Sequence, residues 1–170
     1  MRILIAASGS IFFGDDAFGP EVVRLLGLRF MPREVELRDF GIRGYDVACA
    51  LTDGHDAVIL VDATPRGSSP GTLCLIEPDL ESPAINENED FDGHSLDPVR
   101  VLQMAKLFGS VSARLFLVGC EPDNSGGEEG AFGLSQSVEE AVPKAADLIE
   151  SLVSKLRNSE PILAPYRAAA

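Results

Sequence analysis

The chain of 170 residues contains no Trp, only two His, and 14 basic residues against 27 acidic ones. The resulting formal net charge of −13 argues against nucleic acid and anionic membrane surfaces as partners, because both attract Lys and Arg. A negative charge of this size is compatible with a cationic partner, such as a metal ion or a basic segment of another protein.

Three further absences exclude whole classes of protein. The three Cys (Cys49, Cys74 and Cys120) form no CxxC pair, so neither a zinc site nor a disulfide framework is indicated, and we expect all three to be buried in a reducing compartment. No apolar run approaches the ~20 residues that span a bilayer. Met1 and Arg2 lead directly into a strand-like run, which is unlike a signal peptide. A cytoplasmic protein without membrane association is expected.

Short apolar runs alternate with segments of helical periodicity along the chain. Strands are predicted at residues 2–7, 35–40, 57–61, 72–76 and 115–119. Helices are predicted at residues 18–30, 44–51, 98–108 and 138–156, the last starting after Pro143 or kinked there. This alternation predicts an α/β sandwich with a mostly parallel sheet and helices on both faces. The length predicts one domain, residues 1–156, followed by a poorly ordered tail at 157–170.

Three acidic residues and one histidine stand where such a sheet would place a site. Asp15 and Asp16 follow the first strand, Asp62 ends the third, and His94 lies in an acidic loop that enters a helix. Ligands of open α/β sheets gather at the carboxyl ends of the strands, so these residues can meet there. Two carboxylates and one imidazole suit a first-row divalent metal ion. Asp16, Asp62 and His94 are the predicted metal ligands, and Asp15 is the predicted supporting or capping residue.

Each of these residues has a simpler interpretation when it is taken alone. Asp15 and Asp16 are also the residue type that caps a helix N-terminus, which stabilises a helix by ~1 kcal/mol. Asp62 can cap a turn, and His94 can be a solvated loop residue. We expect this last role for His55, which stands in an Asp-Gly-His-Asp turn.

Other chemistries have less support in the sequence. A Ser-His-Asp triad is disfavoured because no G-x-S-x-G elbow occurs. The turn Ser8-Gly9-Ser10 is similar to a weak phosphate-binding turn, but the G-x-G-x-x-G and Walker patterns are absent. Cys120 ends a strand and has no evident His partner for nucleophilic catalysis.

With these residues laid out, the chain resembles the nickel–iron hydrogenase maturation endopeptidases. The resemblance spans most of residues 1–122, and it depends on the order and spacing of five segments. These are Gly14-Asp15-Asp16-Ala17-Phe18-Gly19, Asp39-Phe40-Gly41-Ile42-Arg43-Gly44, Val61-Asp62-Ala63, Gly93-His94-Ser95-Leu96 and Val118-Gly119-Cys120-Glu121-Pro122.

The resemblance implies a fold, an activity and a set of site residues. The fold is a three-layer α/β/α sandwich of the phosphorylase/hydrolase-like type with five strands. The activity is an aspartyl-type endopeptidase that removes the C-terminal extension of a hydrogenase large-subunit precursor after nickel insertion. The metal-contacting positions of the family fall on Asp16, Asp62 and His94, and an acidic motif position of open role falls on Asp39. The nickel is supplied by the substrate, and we expect the protein to be a monomer.

The chain departs from the family pattern at several positions. Ser10 stands where the family has Asn, and Phe40 and Ile42 replace small or hydroxylated residues. The loop before His94 is also unusually acidic. These departures leave open an alternative function, a non-catalytic nickel-binding or assembly module. A different metallohydrolase or a purine-phosphorylase-like enzyme of the same fold is a third hypothesis.

Overall fold

The computed structural model describes residues 1–78, 98–123 and 132–162. The strands in these ranges are β1 (Ile3–Ala7), β2 (Val35–Asp39), β3 (Ala57–Ala63), β4 (Leu73–Ile76) and β5 (Arg114–Cys120). The α-helices there are α1 (Phe18–Leu26), α2 (Gly44–Ala50), α3 (Pro98–Phe108) and α4 (Gln136–Arg157). A short 3-10 helix, Gly14–Ala17, directly precedes α1.

The strands form a five-stranded sheet in the order β2-β1-β3-β5-β4. All neighbouring strands are parallel except β4, which is antiparallel to β5. The prediction of a mostly parallel five-stranded sheet is therefore confirmed. The four parallel strands end on the same side of the sheet, which we call the carboxyl edge, and their other ends form the amino edge.

Helices cover both faces of this sheet, which makes three layers. Alternate side chains of β1 point to opposite faces: Ile3 and Ile5 pack with α1 and α4, whereas Leu4 packs with α2 and α3. The central strands are buried on both sides, so they form continuous apolar runs in the sequence.

Two helix predictions need correction. The first helix was expected to reach Phe30, but α1 ends at Leu26 and Phe30 is 93% exposed. The chain tightens into a turn after Gly27, where Leu28 and Arg29 donate to carbonyls three residues back. The last helix does not start after Pro143, because α4 begins at Gln136 and runs through that residue. The alternative, a kink at Pro143, stays a prediction. Pro143 lies on the exposed face, and the apolar face on either side of it packs into the core.

The expectation of three buried cysteines is also wrong in part. Cys120 is buried and Cys74 is half-buried, but Cys49 is exposed. Cys49 lies in α2, between the buried residues Ala48 and Ala50, and an amphipathic helix leaves one side to solvent.

The end of the described chain stays close to the domain. Arg157, the last residue of α4, forms an ion pair with Glu34, and Ile162 packs against the core between β4 and α4. The boundary predicted at residue 156 stays a prediction because residues 163–170 lie outside the described ranges. Among the described helices, none combines the length and apolarity that a membrane span requires.

Candidate active site

Asp16 is held in place by the loop that leaves β1. The carboxylate Oδ2 accepts a hydrogen bond from the backbone N of Ser10 at 2.6 Å, and the backbone N of Asp16 donates to Phe13 O at 3.2 Å. Gly9 permits this fold because its φ is +120° and a Cβ there would lie 1.8 Å from Asp16 O. The side chain of Asp16 is thus oriented by its own loop and remains half-buried.

Asp62 lies at the carboxyl edge near the end of β3, and it is 2% exposed. The start of α1 sits directly on the ends of β1 and β3, because a Cβ at Gly19 would lie 2.3 Å from Ser8 O and 2.4 Å from Val61 O. The 3-10 helix that carries Asp16 also packs against β3. The fold therefore places both residues at the carboxyl edge, Asp16 in the 3-10 helix that follows β1 and Asp62 near the end of the adjacent strand β3.

Asp15 has a different environment from its neighbour. It is fully buried, and its carboxylate accepts hydrogen bonds from the backbone N of Asp123 at 2.8 Å and from Ser135 N and Oγ at 2.6 and 2.9 Å. These contacts tie the 3-10 helix to the end of β5 and the start of α4. Asp15 is therefore a supporting residue, in agreement with the sequence-based prediction.

Asp39 also lies at the carboxyl edge, at the end of β2. Its Oδ1 accepts a hydrogen bond from Gly41 N at 2.8 Å, and Gly41 has a φ of +56°. Gly41 O in turn accepts from Gly9 N at 3.0 Å, which joins the loops after β1 and β2. Asp39 is exposed and closes a turn. A catalytic role for it stays a prediction. The neighbouring Phe40, one of the departures from the family pattern, is buried in the core beside α2.

Of the two histidines, the structure describes His55 and not His94. His94 lies outside the described residues, so its predicted place among the ligands stays a prediction. The prediction of a solvated His55 is wrong, because this side chain is 2% exposed. Its Nδ1 lies 3.2 Å from Ala50 O and its Nε2 lies 3.4 Å from Glu36 Oε2, and these polar partners allow the ring to be buried. His55 precedes β3 and so lies at the amino edge, away from Asp16 and Asp62.

One residue that orders the site was missed by the sequence analysis. Glu121 is 8% exposed, and its carboxylate accepts hydrogen bonds from the backbone N of Arg66, Gly67 and Ser68 at 2.8, 3.2 and 3.1 Å. It thereby fixes the loop that follows Asp62. The signal available in the sequence was a carboxylate directly after an apolar strand, inside a segment already noted for its resemblance.

Cys120 cannot act as a thiolate nucleophile at neutral pH. Burial raises the pKa of its thiol to about 12, and the negative charges of Asp15 and Glu121 contribute to that increase. The thiol therefore stays protonated, which agrees with the lack of a His partner in the sequence. No group of three or more potential metal ligands occurs within the described ranges, which omit His94.

Comparison with known proteins identifies the family. The family model named HycI, described as hydrogenase maturation protease, matches residues 20–152. The chain belongs to the hydrogenase maturation proteases. It is 31% identical over 161 residues to the hydrogenase 2 maturation protease of Escherichia coli K12, covering 94% of this chain and 93% of that protein.

Solved structures of family members share the fold. The hydrogenase maturating endopeptidase HybD of Escherichia coli superposes with a TM-score of 0.73 at 27% identity, covering 94% of both chains. The maturation protease HycI of Thermococcus kodakarensis gives a TM-score of 0.70 at 26% identity, covering 90% of this chain and 92% of that one. The predicted family, α/β/α fold and peptidase class are confirmed. The roles of individual residues stay predictions.

Proposed function

We propose that the protein is an endopeptidase that removes the C-terminal extension of a nickel–iron hydrogenase large-subunit precursor once nickel is inserted. In this proposal Asp16, Asp62 and His94 recognise the nickel ion that the precursor carries. The observation that carries the proposal is the placement of Asp16, in the 3-10 helix after β1, and Asp62, near the end of β3, at the carboxyl edge of the sheet. Membership of the maturation protease family supports the substrate class.

The fixed geometry of the two carboxylates supports a role as metal ligands. Asp16 is oriented by Ser10 N, and Asp62 is buried within β3, so neither side chain needs much ordering when it binds. Oxygen ligands combined with one imidazole suit first-row divalent ions such as nickel. Ordering ligands in advance reduces the entropic cost of binding.

The imidazole in this proposal is supplied by His94. The chain contains two histidines, and His55 is buried at the amino edge between Ala50 O and Glu36. If this chain contributes a histidine to the carboxyl edge, that residue is His94.

The chain's residues position the precursor, and the nickel belongs to the substrate. By completing the nickel coordination from the protease side, Asp16, Asp62 and His94 would align the scissile peptide bond at the carboxyl edge. Hydrolysis adds the hydroxyl of water to the carbonyl carbon and a proton to the leaving amine. The substrate's nickel can polarise the carbonyl or supply the activated water. The negative charge of the protein favours docking of a basic segment near the cleavage point.

Cleavage of the precursor by charge-removing variants tests this proposal. Purified wild type, Asp16→Asn, Asp62→Asn and His94→Ala are incubated with nickel-loaded and nickel-free precursor, and release of the C-terminal peptide is measured by mass spectrometry. We expect wild type to cleave the nickel-loaded precursor and not the nickel-free one. Each variant should cleave the nickel-loaded precursor at least about 100-fold more slowly than wild type. Asn at position 16 keeps an acceptor for Ser10 N, so its effect reports the lost charge rather than a lost fold.

The matched control is Asp46→Asn, which removes an exposed carboxylate from α2 and should cleave like wild type. Wild-type cleavage by Asp16→Asn and Asp62→Asn would refute their role as ligands. Binding of the nickel-loaded precursor by wild type without any trimming would instead favour the non-catalytic assembly module. No contact of the described residues favours that alternative, and the substitution Phe40 is accommodated in the core. We further propose that the protease acts as a monomer in the cytoplasm, which size-exclusion chromatography and cell fractionation can test.

A further inference from the structure

Four large apolar side chains are exposed beside the candidate site. Ile11, Phe12 and Phe13 follow β1, with exposed fractions of 52%, 57% and 39%, and Phe132 precedes α4 with 85%. The rings of Phe12 and Phe132 meet edge to face with centroids 6.0 Å apart, although they come from segments 120 residues apart. We call Ile11, Phe12, Phe13 and Phe132 the apolar patch.

The apolar patch is continuous with the loop that holds Asp16. Ser10 N donates to the Asp16 carboxylate, Phe13 N donates to Ser10 O, and Asp16 N donates to Phe13 O. The three apolar residues are thus the outer turn of a loop whose inner side orients the proposed ligand. Asp15 fixes the other half of the patch, because it binds Ser135, three residues after Phe132.

This placement distinguishes the apolar patch from scattered apolar surface. Single exposed apolar side chains are normal, but aromatic side chains clustered in contact are typical of binding surfaces. The segment Ile11–Phe13 carries no charge in a chain whose net charge is −13. These side chains supply no charge of their own, so the favourable term that they add to binding is the desolvation of apolar surface.

We propose that the apolar patch binds an apolar segment of the precursor polypeptide next to the scissile bond. This inference rests on the proposed function, because a peptidase must lay a polypeptide across the carboxyl edge. The apolar patch lies at that edge, one loop turn from Asp16. Phe12 and Phe132 are the anchors, since aromatic side chains carry much of the binding energy at such surfaces. The patch contributes substrate affinity, and the chemistry stays with the metal-recognising residues.

Steady-state kinetics of Phe12→Ser and Phe132→Ser on nickel-loaded precursor test this inference. We expect KM to rise about tenfold or more in each variant while kcat changes less than about threefold, because the lost contacts bind substrate and transition state alike. In the double variant, log KM should rise by less than the sum of the two single-variant increases, because the two rings touch each other. Both side chains are exposed, so the variants should keep the fold, which circular dichroism verifies.

The matched control is Phe30→Ser. Phe30 is 93% exposed and lies between α1 and the start of β2, at the amino edge. The KM of Phe30→Ser should equal that of wild type. If wild type does not cleave the precursor at all, the proposed function fails. If wild type cleaves and Phe12→Ser keeps the wild-type KM, the inference is wrong while the proposed function stands. A wild-type dimer that Phe12→Ser converts to a monomer with unchanged KM would also overturn it, by assigning the patch to a second copy of this chain.

Discussion

Replacing Asp15 by Asn should destabilise the fold although the side chain keeps its shape. The carboxylate accepts three hydrogen bonds, from Asp123 N and from Ser135 N and Oγ. An Asn amide has one acceptor oxygen, so the backbone N–H of Asp123 or of Ser135 would face an NH2 group. Each lost bond to a charged acceptor costs about 1.5–3 kcal/mol. We expect Asp15→Asn to lower the free energy of unfolding by about 2–4 kcal/mol, and Asp15→Ala to lower it further.

Urea unfolding followed by circular dichroism measures these differences, and a double-mutant cycle locates them. Ser135→Ala removes the hydroxyl contact to Asp15, together with a 3.4 Å contact to the hydroxyl of Ser137, and should cost about 1.5–3 kcal/mol. The pair Asp15→Ala and Ser135→Ala should cost less than the sum of the two, because the shared bond is counted once. Asp46→Asn, on the exposed surface of α2, should stay within about 0.5 kcal/mol of wild type. Equal stability of Asp15→Asn and wild type would refute the supporting role given to this carboxylate.

Three further predictions concern the packing around the site. Gly19→Ala should lower the free energy of unfolding by about 2 kcal/mol in the same assay, because the start of α1 leaves no room for a Cβ. Gly27→Ala is the control and should be nearly neutral, because a Cβ there would lie 3.4 Å from its nearest neighbour. A Gly19→Ala variant with the same free energy of unfolding as wild type would contradict the close contact. Glu121→Ala should accelerate amide hydrogen exchange at residues 66–68, and unchanged exchange there would show that its carboxylate does not fix this loop. In the native protein at pH 7, a thiol reagent should modify Cys49 rapidly and Cys120 only after unfolding, and rapid modification of Cys120 would contradict its burial and raised pKa.

The sheet and the placement of two acidic residues at its carboxyl edge could be predicted because their signals are local. Strands buried on both faces need continuous apolar runs, and residues 57–61 have such a run at the centre of the sheet. Because β1 and β3 are parallel, residues near their carboxyl ends share one edge of the sheet, and Asp16 and Asp62 lie at that edge. Helix ends were less predictable: the apolar spacing continues to Phe30, but the backbone turns after Gly27.

Contacts between distant segments could not be derived from the sequence. The burial of His55 depends on Glu36 and Ala50 as partners, and nothing in the turn around His55 indicates either. The role of Glu121 depends on the path of a loop more than 50 residues earlier in the chain. A polar side chain can be buried when the tertiary structure supplies its hydrogen-bond partners, and the residues next to it in the sequence do not indicate whether it does.

The central claim, that Asp16, Asp62 and His94 contact the nickel of the substrate, can be measured at the metal itself. X-ray absorption at the nickel edge compares the nickel-loaded precursor alone with its complex with the protease, frozen before cleavage. We expect the complex to gain oxygen or nitrogen scatterers at about 2 Å from nickel. Asp16→Asn and Asp62→Asn should reduce this gain, and Asp46→Asn should not. An identical nickel environment in the free precursor and in the wild-type complex would contradict the claim.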